Sequence, residues 1–269
     1  MAVIALAGCS GAPGVTTCAL ALLLSWPLNP DRRMILAECD PDGSAVLHGL
    51  LQGSLGDRYG LRNLSVAARK GEFSDAFWRQ LIELNGEDGH RLLLPGITDP
   101  AQSASLGQVW KILAQMFRGI EAESGHDVLI DLGRRGAFGP SGVLAEQADA
   151  VFVVVRNTLR CLQAAEGRVR ALEERVGDVS VLMINEGPYP AGEVQRVLQV
   201  PVIATLPYAP DDARVLSDGA EQPRRFTRSS LMKAARTSST LMLQRAAMRR
   251  ARLDPRGLRT AGGEVTHAR

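Results

Sequence analysis

The sequence predicts a doubly wound α/β fold, a mostly parallel sheet with helices on both faces, and three observations carry that prediction. The apolar segments are continuous Val/Ile/Leu runs, as in AVFVVVRN up to Asn157 and VSVLMINEG up to Gly187. Strands buried on both faces of a parallel sheet require such runs. Helical patterns lie between them, so strand and helix alternate along the chain. A Gly-rich turn, GCSGAPGVTT from Gly8 to Thr17, joins the first apolar strand to the first apolar helix, which is where such sheets hold phosphate groups.

Taken in order, the first strand ends at Gly8. The turn after it has the form of a phosphate-binding loop, in which backbone N–H groups converge on an anion at a helix N-terminus. Gly11 and Gly14 allow the turn, and Thr16 and Thr17 open the helix. In a working loop a Lys directly before the Thr pair reaches the β and γ phosphates, and the Thr hydroxyl holds Mg²⁺. That position is Val15 here, and Pro13 has no N–H to add to the nest. Next comes MILAECDPDGSAV, Met34 to Val46, a strand ending in an acidic pair and a Pro-Asp-Gly turn. HDVLIDLGRRG, His126 to Gly136, delivers Asp131 into a loop. The strands ending at Asn157 and Gly187 follow, and PVIATLPYAP, ending at Pro210, is the last.

In that order, over about residues 2 to 245, the chain resembles the MinD/ParA family of deviant Walker A ATPases, P-loop NTPases of the SIMIBI class. GCSGAPGVTT is similar to that family's Lys-Gly-Gly-x-Gly-Lys-Thr-Thr loop, with Ser10 at the first, signature lysine and Val15 at the second. The resemblance implies ATP or ADP with Mg²⁺ as the cofactor. It places Ser10, Gly11, Ala12, Gly14, Val15, Thr16 and Thr17 around the phosphates. AECDPDGSA resembles the Asp-x-Asp-Pro-Gln-Gly segment, putting Glu38 and Asp40 at its acidic positions and Asp40 at that of a remnant catalytic carboxylate. LIDLGRR is similar to the Walker B strand, which makes Asp131 the outer-sphere Mg²⁺ carboxylate beside Thr16 and Asp40. Asn185 falls where the family contacts adenine, and Pro207 in the loop that closes over the base. The stretch RLLLPGITDPAQSASLGQVW, Arg91 to Trp110, most resembles the CpaE/TadZ pilus-assembly branch.

The departures from the pattern bear on chemistry. In that family the signature lysine reaches across a face-to-face dimer to the partner's nucleotide, and Ser10 is too short to do so. A lost charged donor to phosphate costs about 1.5–3 kcal/mol. Losing both lysines therefore weakens ATP binding by about 3–6 kcal/mol, roughly a hundred- to ten-thousandfold. Phosphoryl transfer depends on cations still more, a supplied Arg being worth about 10³–10⁵ in rate. Arg134 and Arg135 follow Asp131 by three and four residues, where a guanidinium would replace the missing charge. The other reading of both is solvent or an ion pair with Glu38 or Asp40.

At 269 residues and 45% hydrophobic, the chain suits one domain over residues 1–253 with a tail over 254–269. No run of about 18 apolar residues exists to span a bilayer. Leu6-Ala7-Gly8-Cys9 looks like a lipoprotein cleavage box, yet no Lys or Arg precedes it and the apolar core is shorter than the ~7–15 residues of a signal. The expectation is an uncleaved strand end and a cytoplasmic protein, with peripheral membrane or nucleoid association left open. Cys9, Cys18, Cys39 and Cys161 lack CxxC spacing, and the expectation is small buried thiols, with Cys9 and Cys39 close together at adjacent strand ends. The gap between Cys39 and Cys161 argues against the iron-sulfur reductase relatives of this fold. His48, His90, His126 and His267 are scattered singly.

Charge is uneven. From Arg224 to Arg269 twelve Lys/Arg stand against Asp254 and Glu264, so this segment carries +10 of a whole-chain +2 and the preceding residues −8. Ser229 to Leu253 is helical in composition, with Leu231, Ala235, Met242, Ala246 and Leu253 roughly on one face. From Asp254 the composition is that of a disordered tail. Arg245, Arg249, Arg250, Arg252, Arg256 and Arg259 are spaced to meet one polyanion, non-specific DNA or an anionic surface, the alternative being contact with the acidic body.

Three functional classes fit these residues. The first is a MinD/ParA-like positioning or scaffold protein in pilus or secretion assembly or in chromosome or plasmid partitioning, with weak or absent ATP hydrolysis, protein partners and a homodimer insensitive to nucleotide. The second is a slow ATPase that uses Arg134 or Arg135 in place of the lysine. The third, a metabolic transferase or kinase on the same fold, suffers most from the absent cations.

Overall fold

Along the first strand, Val3, Ala5 and Ala7 pack on one face of the sheet and Ile4 and Leu6 on the other, and all five are buried. That is the two-sided burial the continuous apolar runs demand. The computed structural model describes residues 2–9, 14–55, 58–84, 86, 89–123 and 125–253. Ser10, Gly11, Ala12 and Pro13, and the tail expected over 254–269, lie outside the described residues.

The strands are β1 (Val3–Gly8), β2 (Arg33–Glu38), β3 (Ile82–Glu83), β4 (Arg91–Leu94), β5 (His126–Asp131), β6 (Ala150–Arg156), β7 (Val179–Asn185) and β8 (Val202–Pro207). They form one sheet in the order β3-β4-β2-β5-β1-β6-β7-β8. Every pairing is parallel except that of β3 with β4. Six of the eight are the runs read from sequence. β4 was hidden within a segment read for its Leu-Pro-x-x-x-Asp-Pro motif, and β3 is two residues long, too short for any period to show.

The helices are α1 (Val15–Ser25), α2 (Leu61–Lys70), α3 (Phe73–Arg79), α4 (Gly107–Glu123), α5 (Gly142–Glu146), α6 (Leu159–Val176), α7 (Ala191–Leu198), α8 (Pro210–Ser217) and α9 (Ser230–Leu253). One core lies under α2, α4 and α6, and the other surrounds α1. The run Cys18 to Leu23 of α1 is buried all round, because the sheet lies beneath and α8 and α9 cover the outside. The next strand in space beside β1 is β5 on one side and β6 on the other, so the order reverses at β1 and leaves a crevice past its C-terminal end.

Helix α9 begins within a residue of the expected start, and Leu231, Ala235, Met242 and Ala246 are buried as expected. Leu253 is instead 74% exposed. The basic residues of this helix do not form one free face. Arg245 pairs with Asp178 and Arg250 with Asp149. Arg249 donates to the carbonyls of Val176 at 2.6 Å and of Ala148 and Asp149 at 3.2 Å. Asp149 also accepts the Val3 N–H at 2.7 Å. The acidic body therefore claims these three arginines, because the carboxylates and open carbonyls at the strand starts lie within their reach, and they are not offered to a polyanion.

Candidate nucleotide site

Gly14 caps α1 in the left-handed region, at φ 90° and ψ 38°, without a side-chain cap and with no acidic residue in the first turn. Among the described residues no side chain caps the amides of that turn, and such amides at a helix N-terminus bind anions. A cavity of about 230 Å³ opens there, walled by Gly14, Val15, Thr16 and Thr17 from α1, by Asp40 after β2, and by Gly133 and Arg134 after β5. The structure brings together residues from three separated segments that the sequence singled out.

Thr16 donates its hydroxyl to Asp131, and the Gly133 N–H donates to Asp131 Oδ1 at 2.8 Å. Burial raises the Asp131 carboxyl to about 6, and the Glu38 charge adds to this against the two hydrogen bonds. Asp40 is likewise pushed up to about 6, chiefly by burial and further by the charges of Asp131 and Asp42, while the Asp42 N–H and Arg134 act the other way. Gly133 is indispensable to this packing: its φ is +55°, and a Cβ there would lie 1.7 Å from Asp40 Oδ2.

Two carboxylates raised by burial and by neighbouring negative charge, with a hydroxyl between helix and strand, are the hard oxygen donors Mg²⁺ prefers. Among the described residues no group of three His, Cys, Asp or Glu converges to hold a metal. A cation at Thr16, Asp40 and Asp131 would therefore need phosphate oxygens to complete its shell. The residues fit Mg²⁺ arriving with a nucleotide, and the ion would supply positive charge to the phosphates.

Val15 lines the cavity and is also part of the core around α1, with only 5% of its surface exposed. Arg134 lines the cavity with its side chain half exposed and 3.9 Å from Asp42. Arg135 is 73% exposed and 3.8 Å from the same carboxylate. Of the alternative reading for these arginines, solvent or an ion pair with Glu38 or Asp40, the exposure to solvent holds, and the carboxylate in reach is Asp42, which the Pro41-Asp42-Gly43 turn presents to them. Arg168 on α6 donates to the Arg134 carbonyl at 2.6 Å and stacks on Phe138, so α6 braces the loop.

Glu38 is buried away from the cavity. It accepts from the Ser44 hydroxyl at 2.5 Å, from the Ala45 and Val46 N–H groups at 3.1 Å and from Gly96 at 3.3 Å, and so fastens the segment after β2.

Gly14 and Thr17 also wall a second, mostly apolar cavity of about 100 Å³ with Cys18, Ile184, Leu206, Pro207, Tyr208 and Ala209. A polar cavity and a mostly apolar one thus share one wall, Gly14 and Thr17. Pro207 lies in the apolar one. Asn185 is exposed at the tip of β7 outside the lining, its oxygen accepting from Asn157 Nδ2 at 2.9 Å. Sequence reasoning missed two lining residues, Arg156 and Tyr208, whose ring lies 5.7 Å from the guanidinium. The one signal was a cation at the tip of an otherwise apolar strand. It also missed Asn157, buried at the end of β6, which donates to the carbonyls of Gly187 and Tyr189 and accepts from the N–H groups of Glu186 and Gly187.

All four cysteines are free and buried. Cys9 is beside Cys161, not Cys39 as expected, with the sulfurs 3.4 Å apart. The reason is topological: β5 intervenes between β1 and β2, whereas β6, which leads into α6, pairs directly with β1.

No protein-family model matches the sequence and no curated protein matches it. Solved structures do match. MinD from Pyrococcus furiosus superposes with a TM-score of 0.68 at 15% identity, over 90% of this chain and 98% of that one. A ParA family ATPase from Chlorobium tepidum gives 0.67 at 14% identity, over 89% and 97%. The fold is that of the MinD and ParA ATPases. The septum site-determining protein MinD from Pyrococcus horikoshii, complexed with Mg-ADP, gives 0.64 at 16% identity over 92% and 98%. At such identities the likeness carries the architecture alone.

Proposed function

We propose that this is a MinD/ParA-like protein of spatial positioning or scaffolding, in pilus or secretion assembly or in chromosome or plasmid partitioning, whose site takes Mg-ATP or Mg-ADP weakly and hydrolyses ATP slowly or not at all. The observation that carries the proposal is the composition of the phosphate cavity. Thr16, Asp40 and the start of α1 line it, with Asp131 buried behind Thr16 and Gly133, but the side chain after Gly14 is a core-packed Val15 with no charge to give. The fold shared with Mg-ADP-bound MinD supports nucleotide as the ligand class. Turnover, which needs cations on the transferring group, suffers more than binding.

Calorimetry with a non-hydrolysable ATP analogue and Mg²⁺, beside a phosphate-release assay, tests this. The expected result is binding that Val15→Lys with Ser10→Lys tightens, with negligible turnover in the natural protein. Turnover at the rate of ordinary family members would overturn it. Self-association, which the proposal treats as independent of nucleotide, is read by sedimentation with and without Mg-ATP. A second reading, a slow ATPase, is favoured by one observation: Arg134 lines the phosphate cavity whereas Arg135 does not. Residual turnover abolished by Arg134→Ala and kept by Arg135→Ala would establish that reading.

A further inference from the structure

The strand that ends at Gly8 leads through Cys9 into the Gly-rich loop, and β6, its parallel neighbour, leads into α6 through Thr158. Thr158 caps α6, and Cys161 occupies the first turn of that 18-residue helix, where its N–H donates to the Thr158 hydroxyl. The Cys161 sulfur accepts the Arg156 N–H at 3.3 Å and lies 3.4 Å from the Cys9 sulfur. Amides at a helix N-terminus and a nearby guanidinium are what stabilise a thiolate. The bond from Cys9 and the Arg156 N–H and charge hold Cys161 down to about 6, and the same shared proton, with burial, holds Cys9 up. The other two thiols are insulated. Cys18 is pushed up to about 12 by burial and the Asp131 charge, and Cys39 is also raised by burial.

We propose that Cys9 and Cys161 are an oxidation site, at which hydrogen peroxide converts the two thiols into one reversible disulfide that ties the entry of the Gly-rich loop to the first turn of α6. The Cys161 thiolate attacks one peroxide oxygen, breaking the O–O bond, and becomes a sulfenic acid as hydroxide leaves. The Cys9 sulfur then attacks the Cys161 sulfur, forming the S–S bond. The hydroxyl leaves with the Cys9 proton as water, and the hydroxide takes up the proton that Cys161 had lost. Two thiols and one peroxide give one disulfide and two waters. The sulfurs must close from 3.4 Å to about 2.05 Å, a shift that draws residue 9 toward the first turn of α6. Nucleotide affinity falls severalfold on oxidation, a consequence that rests on the nucleotide reading above.

The full-length protein, treated natively with hydrogen peroxide and then alkylated in denaturant, is read by intact mass and peptide mapping. The expected result is two thiols protected from alkylation, one peptide cross-linked between Cys9 and Cys161, and reversal by dithiothreitol. Cys161→Ser and, separately, Cys9→Ala should abolish the cross-link while melting as the natural protein does. Four alkylated thiols after oxidation, or a cross-link through Cys18 or Cys39, would overturn the proposal. A fluorescent ATP analogue titrated into reduced and oxidised protein reads the consequence: equal affinities overturn the coupling to the loop. No binding in the reduced form counts against the nucleotide reading instead, and the cross-link result still decides the oxidation site.

Discussion

Gly133→Ala is the sharpest test of the phosphate cavity, because the geometry assigns two separate costs to one methyl group. The backbone at φ +55° suits glycine, and alanine in the left-handed region costs about 1–2 kcal/mol. The new Cβ would also meet Asp40 Oδ2 at 1.7 Å and Cγ at 1.9 Å. To regain van der Waals separation the carboxylate has to withdraw by roughly 2 Å. Overpacking of that kind costs about 1–3 kcal/mol, and because Asp40 is only half-buried it can swing outward, which favours the lower part of that range. The expected total is about 2–4 kcal/mol, measured as a lower urea midpoint at unchanged slope. Asp40→Ala in the same chain should recover the overlap and leave the backbone cost, so the double variant should be more stable than the two single losses added together. Strict additivity, or a Gly133→Ala protein within about 0.5 kcal/mol of the natural one, would refute the close packing of loop on carboxylate.

The remaining predictions concern groups away from that contact. Glu38→Ala leaves the N–H groups of Ala45, Val46 and Gly96 without their acceptor, and should cost about 3 kcal/mol or more in chemical denaturation. Alkylation of Cys161 in the native protein should follow its thiolate, half-maximal at pH about 6 and falling as the pH drops below that, where an ordinary thiol would need pH about 9; stopped samples read by mass spectrometry give the curve. Removing residues 254–269 should leave the melting temperature unchanged, whereas Arg249→Ala, which strips three carbonyls of a charged donor, should lower stability by about 2–3 kcal/mol. Titrating the truncated and whole chains with duplex DNA and with anionic vesicles then isolates any contribution of Arg256 and Arg259, with equal binding by both forms removing the tail from consideration.

The six long strands were legible because burial on both faces keeps AVFVVV free of polar residues and leaves Ser180 as the one polar residue in VSVLMI, before the runs end in Arg156 and Asn185. Asp131 and the Gly-rich turn were legible for a related reason: chemistry at a strand's C-terminal end interrupts the apolar run abruptly. The partners of the arginines were not. Whether Arg134 meets Asp40 or Asp42 depends on how a three-residue turn aims its side chains, and no periodicity encodes that. Cys9 beside Cys161 depends on strand order, a long-range property that the local pattern around either residue does not carry. For Arg249 and Arg250 the sequence left a polyanion and the acidic body both open, because charge counting along a chain cannot see Asp149 about a hundred positions earlier.

The contacts of Arg245, Arg249 and Arg250 also fix where the chain departs. Asp149, Asp178 and Val176 lie just before β6 and β7, at the starts of strands whose far ends line the apolar cavity through Arg156 and Ile184. Seven residues of strand separate these two poles, roughly 20 Å. Leu253, where α9 ends, is three residues past Arg250 and so at the pole that faces away from the cavities. Through these contacts α9 fastens the starts of β6 and β7, so its arginines act at the end of the sheet opposite the two cavities.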